Sequence, residues 1–244
     1  MSIILPELDR PSAVERPPGR PKGYHRWSDL LFVHWRLPPE PIAALLPPGL
    51  ELDTWHDQAW VGLVPFRMSG VRPWWLPWGP AFPETNVRTY VRCRNRDPGV
   101  WFFSLEAGNR LAVSVARACW GLNYHRAQMR VERRGDHIHY QSRRCANAGA
   151  SCHLEAAVVG AAYHARPGTL EHFLIERYVL YTRTCAGRLF RGRVHHAPYQ
   201  IRPARLLRLD ESLLAANSIA YSEPPCHVVA CDDVSVEVFR LARV

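Results

Sequence analysis

The chain has 244 residues, 47% of them hydrophobic, and a formal net charge of +9 at pH 7. That length suits one strand-rich domain with an adequate core, and no apolar run approaches the roughly 18 residues a spanning helix needs, so a helical membrane span is excluded. All but one of the 31 basic residues are arginine, spread along the whole chain, whereas a nucleic-acid surface needs a clustered stripe with aromatic platforms. The densest group, Arg130, Arg133, Arg134, Arg143 and Arg144 around one hairpin, reads as solvated surface.

Residues 1–23 carry five prolines among several charges and predict an arm laid over the body, with ordered chain from about Trp27 and a single domain over 24–244. The first residues lack the blocks of a signal peptide, so a cytoplasmic location is expected. Seven scattered cysteines without C-x-x-C spacing fit reduced thiols. Self-association is left open.

In chain order, Ser28 to Arg36 reads as a strand, Pro38 to Leu46 as a short helix with prolines in its first turn, and Gln58 to Met68 as a buried strand. Val71 to Pro80 sets Trp74, Trp75 and Trp78 among prolines, which predicts an ordered loop whose rings pack over a barrel end. A pocket lid or a partner surface is the alternative for those rings.

Phe82 to Val91 is the most informative segment. Side chains alternate along a strand, so Glu84, Asn86, Arg88 and Tyr90 share one face while Val87 and Val91 mark the other. Gly99 to Ala107 follows as the second strand of a hairpin and brings Ser104 and Glu106 beside that row. In a closed sheet a polar wall lines a cavity, where such groups are paired or used.

Leu111 to Arg117, Ala127 to Arg133, His137 to Arg143 and Cys152 to Tyr163 read as further strands. Thr169 caps a helix from Leu170 to Glu176. Tyr178 to Thr184 and Arg188 to His195 flank Cys185-Ala186-Gly187 as a hairpin. Tyr199 to Leu209, a helical Glu211 to Ala216 and a last strand Val234 to Leu241 complete the chain. The fold class is mainly β, a closed antiparallel β-barrel with a few short helices.

Leu30-Leu31-Phe32-Val33-His34-Trp35, Leu46 to Asp53, Ala59 to Phe66, Phe82 to Val91, Gly99 to Ala107 and Phe173 to Tyr178 together resemble the YqjF-like bacterial family of unknown function, related to acetoacetate decarboxylase. The resemblance implies an acetoacetate-decarboxylase-like barrel with a small-molecule cavity. In the decarboxylase a lysine forms a Schiff base with a keto acid, beside an arginine and glutamates. The arginine position matches Arg36 and one glutamate matches Glu84. The lysine position falls at Asn123-Tyr124-His125-Arg126, where no lysine stands; the one lysine is Lys22, in the arm. Schiff-base chemistry needs a neutral primary amine, which arginine cannot supply.

The candidate site is therefore Glu84 as the proton-transfer group, with Arg36, Asn86, Arg88, Tyr90, Ser104, Glu106, Tyr124 and His125 as binding residues and Glu84 coupled to Arg88. An arginine fork binds a carboxylate in two parallel bonds, so the expected ligand is a small organic acid. A carrier or sensor, or an interaction module built on the Trp74–Trp78 loop, are the rival readings. His137 and His139 share a strand face and Cys152-His153 are adjacent, but no ligand set has complete spacing, so no metal and no cofactor is expected.

Overall fold

The computed structural model describes residues 14–94, 96–146, 149–184 and 186–244; residues 1–13 of the expected arm and Cys185 of the expected hairpin turn lie outside them. The fold is mainly β with few helices. The strands are β1 (Gly23–Leu37), β2 (Glu51–Leu52), β3 (Ala59–Pro73), β4 (Phe82–Cys93), β5 (Arg96–Ala107), β6 (Tyr124–Arg134) and β7 (His137–Arg144). They continue as β8 (Ser151–Val158), β9 (Tyr163–His164), β10 (Val179–Arg183), β11 (Leu189–His195), β12 (Gln200–Glu211), β13 (His227–Val238) and β14 (Ala242–Arg243). Helices α1 (Pro39–Ala43), α2 (Arg110–Trp120) and α3 (Leu170–Ile175) lie between strands.

One sheet runs in the order β14-β11-β10-β5-β6-β7-β8-β12-β13-β1-β3-β4-β2, and β4 also bonds β5, so the pairings return on themselves. The ring is not evenly disposed round one axis. Two apolar cores lie on opposite faces of its strands: Leu30, Phe32, Phe66 and Leu105 belong to one, Leu31, Val33, Leu63 and Val87 to the other. Strand alternation sorts these neighbours into two layers. No described helix is long and apolar enough to cross a membrane.

Several elements differ from the sequence reading. Residues 111–117 are not a strand but the middle of α2. Asn109 Oδ1 accepts from Ala112 N at 3.0 Å, and Gly121, at φ 62°, closes the other end by donating its N–H to Arg117 O. Both ends of the helix are thus capped. Topology also demands it, because β5 and β6 pair in parallel, Leu105 opposite Tyr124, and a parallel pair needs a crossover. β1 starts at Gly23 rather than near Trp27, because the arm residue Lys22 already donates to Val238 O at 2.7 Å. The stretch expected as a helix from Glu211 is strand through Glu211 and a 3-10 turn at Ala215–Asn217, and the last long strand begins at His227.

The tryptophan loop does not close a core. Trp75 and Trp78 are 64% and 74% exposed, while Trp74 is stacked by the Arg20 guanidinium at 3.6 Å. Pro73 still pairs with Gly23 as the last residue of β3, and Pro77 and Pro80, which lack a backbone N–H, do not continue the ladder. Arg144 is buried rather than solvated, since it shares the inward face of β7 with Ser142 and Tyr140.

Candidate functional site

Glu84, Asn86 and Arg88 line one side of an internal cavity of about 230 Å³. The rest of the lining is chiefly apolar: Phe66 from β3 and Phe102 from β5 flank Glu84 and Arg88 in register, and Phe32 from β1, Tyr199 before β12 and Ala112, Ala116 and Trp120 of α2 complete it. The crossover that makes β5 and β6 parallel also brings Tyr124, the first residue of β6, to this cavity.

The polar groups have separate partners. Tyr124 donates its hydroxyl to Glu84 Oε2 at 2.7 Å. Burial pushes the Glu84 carboxyl up to about 8, against the Tyr124 hydrogen bond and with a smaller push from Glu106, so at neutral pH it is mostly protonated. Arg88 donates from Nη2 to Leu174 O at 3.2 Å, its Nε is buried without a partner, and among the described residues no carboxylate pairs with it. Asn86, between them on the same strand face, has a buried Oδ1 without a partner. The expected coupling of Glu84 to Arg88 does not form: four residues of strand separate their Cα atoms by about 13 Å.

Tyr90 continues the row below Arg88, where sequence had placed it, and joins a chain that sequence reasoning missed. Its hydroxyl donates to Leu174 O at 2.9 Å, so it accepts from His34 Nε2 at 2.7 Å, and His34 Nδ1 in turn accepts from His227 Nδ1 at 2.9 Å. Burial holds His34 well below its usual range, with His227 and Arg88 adding to the fall. Gly62 of β3 makes room for this ring, since a Cβ there would stand 3.0 Å from His34 Cδ2. The alternation Leu30, Phe32, His34 on β1 was the available signal.

Three predicted residues face elsewhere. Ser104 and Glu106 lie on the other face of the sheet, opposite Val87 and Thr85, where Ser104 accepts from Asn217 Nδ2 and Glu106 pairs with Arg144 at 2.6 Å. The cause is a bulge in β5 between Phe102 and Ser104, which reverses the phase of every later side chain. His125 pairs with Glu106 in register and is half-buried, its imidazole lowered to about 4 by burial, Arg144 and Arg117. Arg36 sits on the cavity-side alternation of β1 but at its exposed end, outside the cavity. A second arginine, Arg177, does reach the cavity wall, paired with Asp53 at 2.7 Å. Lys22, just before β1, is exposed and is not among the residues that line the cavity.

A family model named DUF2071, described as an uncharacterized conserved protein, matches residues 24–235. The chain is 38% identical over 213 residues to the uncharacterized protein YqjF of Bacillus subtilis, covering 85% of this chain and 87% of that one. Among solved structures it is similar to acetoacetate decarboxylase from Legionella pneumophila, with TM-score 0.63, 15% identity and 100% and 98% of the two chains covered. It is also similar to the enduracididine biosynthesis enzyme MppR complexed with pyruvate, with TM-score 0.63, 13% identity and 95% and 92% covered. At such identities the two structures share the fold alone.

Proposed function

We propose that this chain, which belongs to the DUF2071 family, binds a small organic acid in a cavity enclosed by a barrel-like closure of the sheet, and does so without Schiff-base lysine chemistry. The observation that carries the reading is Arg88, a buried guanidinium with an unpartnered Nε and no carboxylate partner among the described residues. An unpaired buried cation is costly, and a ligand carboxylate offers it the charge and the paired acceptors it lacks.

The rest of the cavity fits that polarity. Glu84, held mostly neutral by burial, does not repel an anion and has a proton to donate, so it is the group for any proton transfer to the ligand. Asn86 Oδ1 offers an acceptor between the two. The apolar wall selects a small ligand with one charged end. The neighbour MppR, whose structure holds pyruvate, supports a small carboxylate as the class. The exposed Trp75 and Trp78 favour a second, separate reading of that loop as a contact surface.

Calorimetric titration with benzoate and with its uncharged isostere benzamide tests the proposal at pH 7. Saturable binding of benzoate that benzamide does not match, lost in Arg88→Met, supports it. Equal binding of the two, or binding unchanged in Arg88→Met, refutes it.

A further inference from the structure

On the outer face of the sheet, away from the cavity, three side chains from two strands converge on one point. His139 on β7 and His153 on β8 bring their Nε2 atoms to 2.7 Å, and Glu155 Oε1 lies 3.2 Å from His153 Nε2 and 3.9 Å from His139 Nε2. All three ligating atoms stand within 4.8 Å of one another. Alternation explains the convergence. His139 lies directly opposite Glu155 in the antiparallel pair, and His153 precedes Glu155 by two residues on the same strand face.

We propose that His139, His153 and Glu155 bind a divalent transition ion of the zinc class. Ligands about 2.0–2.1 Å from a tetrahedral zinc stand roughly 3.3–3.4 Å from one another, and the three observed separations bracket that spacing. Two imidazoles and one carboxylate are a donor set that zinc accepts readily, with a fourth position open to water. Two lone pairs aimed at each other across 2.7 Å repel unless a proton or a metal ion lies between them. Metal would replace that single proton with two bonds and add the carboxylate as a third.

The surroundings carry more acceptors than cations at the positions facing the trio. The register places Glu132 of β6 opposite His139, and Asp210 and Arg208 of β12 opposite His153 and Glu155, so two further carboxylates and one guanidinium flank the trio across neighbouring strands. Glu132 is engaged by Arg130 and Arg134, which leaves Asp210 as the freer of the two to bond a metal-held water. The trio is half-exposed, giving the ion a path from solvent. No single-strand spacing reveals such a site, because its ligands are paired by register across a hairpin.

The test uses full-length untagged protein stripped of metal with a chelator, then titrated with zinc against a chromophoric competitor. One zinc per chain is expected, along with a rise in melting temperature because the ion ties β7 to β8. H139Q, H153Q and E155Q should each weaken binding by more than the roughly 100-fold that loss of an outer partner costs. H137Q, an exposed histidine two residues away on the same strand face, should leave it unchanged. Cobalt in place of zinc should give the visible spectrum of a tetrahedral site in the wild type and not in H153Q. Wild-type protein that takes up no zinc at micromolar free ion, or zinc retained by H139Q/H153Q/E155Q, overturns the proposal.

Discussion

Tyr124 and Glu84 meet at 2.7 Å in the cavity although 40 residues separate them, because α2 carries the chain over the sheet and sets β6 parallel to β5. The tyrosine supplies a hydroxyl, not an amine, beside the acid. That contact fixes Glu84 Oε2 as an acceptor, while burial keeps a proton on the carboxyl.

The raised carboxyl has a consequence for stability. A group whose folded pKa lies above its unfolded value stabilises fully below the unfolded value, and that stability is lost as pH rises through the folded one. For Glu84 the window is pH 4.5 to about 8. Unfolded imidazoles are still about half protonated at roughly pH 6.5, so the depressed histidines add stability over the same range. The Glu84 contribution is therefore read against Glu84→Gln, relative to which the wild type should lose on the order of 1–2 kcal/mol between about pH 6.5 and 8. Urea melts across that range should show the wild type falling relative to Glu84→Gln, whose histidines titrate alike. Equal slopes would mean that Glu84 is ionised throughout.

Tyr90→Phe should cost about 1–3 kcal/mol, because it strands the His34 Nε2 proton in a buried site. The depressed imidazole gives the opposite pH sign: its stability is present above the unfolded value near 6.5 and is lost as pH falls through the folded one. Chemical denaturation of Tyr90→Phe at pH 7.5 reads the first effect. A loss of only a few tenths of a kcal/mol, as at surface sites, would remove the His34 chain from the account.

The two cavity arginines should separate cleanly. Arg177 is paired with Asp53 and also donates to Phe173 O at 2.7 Å, so Arg177→Met leaves Asp53 buried without its cation and should cost about 3–5 kcal/mol. Arg88→Met removes a cation with no carboxylate partner among the described residues and should cost little or even stabilise. Melts of both variants decide this, and a similar large loss in each would make Arg88 a structural residue.

With Tyr124 beside Glu84 and Lys22 exposed elsewhere, borohydride treatment in the presence of acetoacetate should leave the intact mass unchanged. A reduced adduct on Lys22 would contradict the absence of imine chemistry.

Much of the cavity was legible because β4 obeys simple alternation, so Glu84, Asn86 and Arg88 could be assigned to one face from Phe82 to Val91 alone. Ser104 and Glu106 were misplaced because a bulge is one extra residue with no signature in local composition, yet it turns both side chains to the far core. Helix α2 was hidden because Leu111, Val113 and Val115 alternate like a strand. Its real stripe is Ala112, Val113, Ala116 and Trp120, and its caps are single residues. Arg36 was carried over by resemblance to a strand end that solvent reaches. Contacts such as Arg144 with Glu106 and Arg177 with Asp53 join residues far apart in sequence, which only the pairing of strands brings together.

The most direct measurement is a crystal structure of the protein soaked with benzoate. The account predicts the carboxylate on Arg88, with Nε and an Nη atom as donors, and the ring against Phe32 and the apolar wall. Benzoate bound only outside the cavity, or a cavity in which Arg88 is already ion-paired to a protein carboxylate, would contradict it.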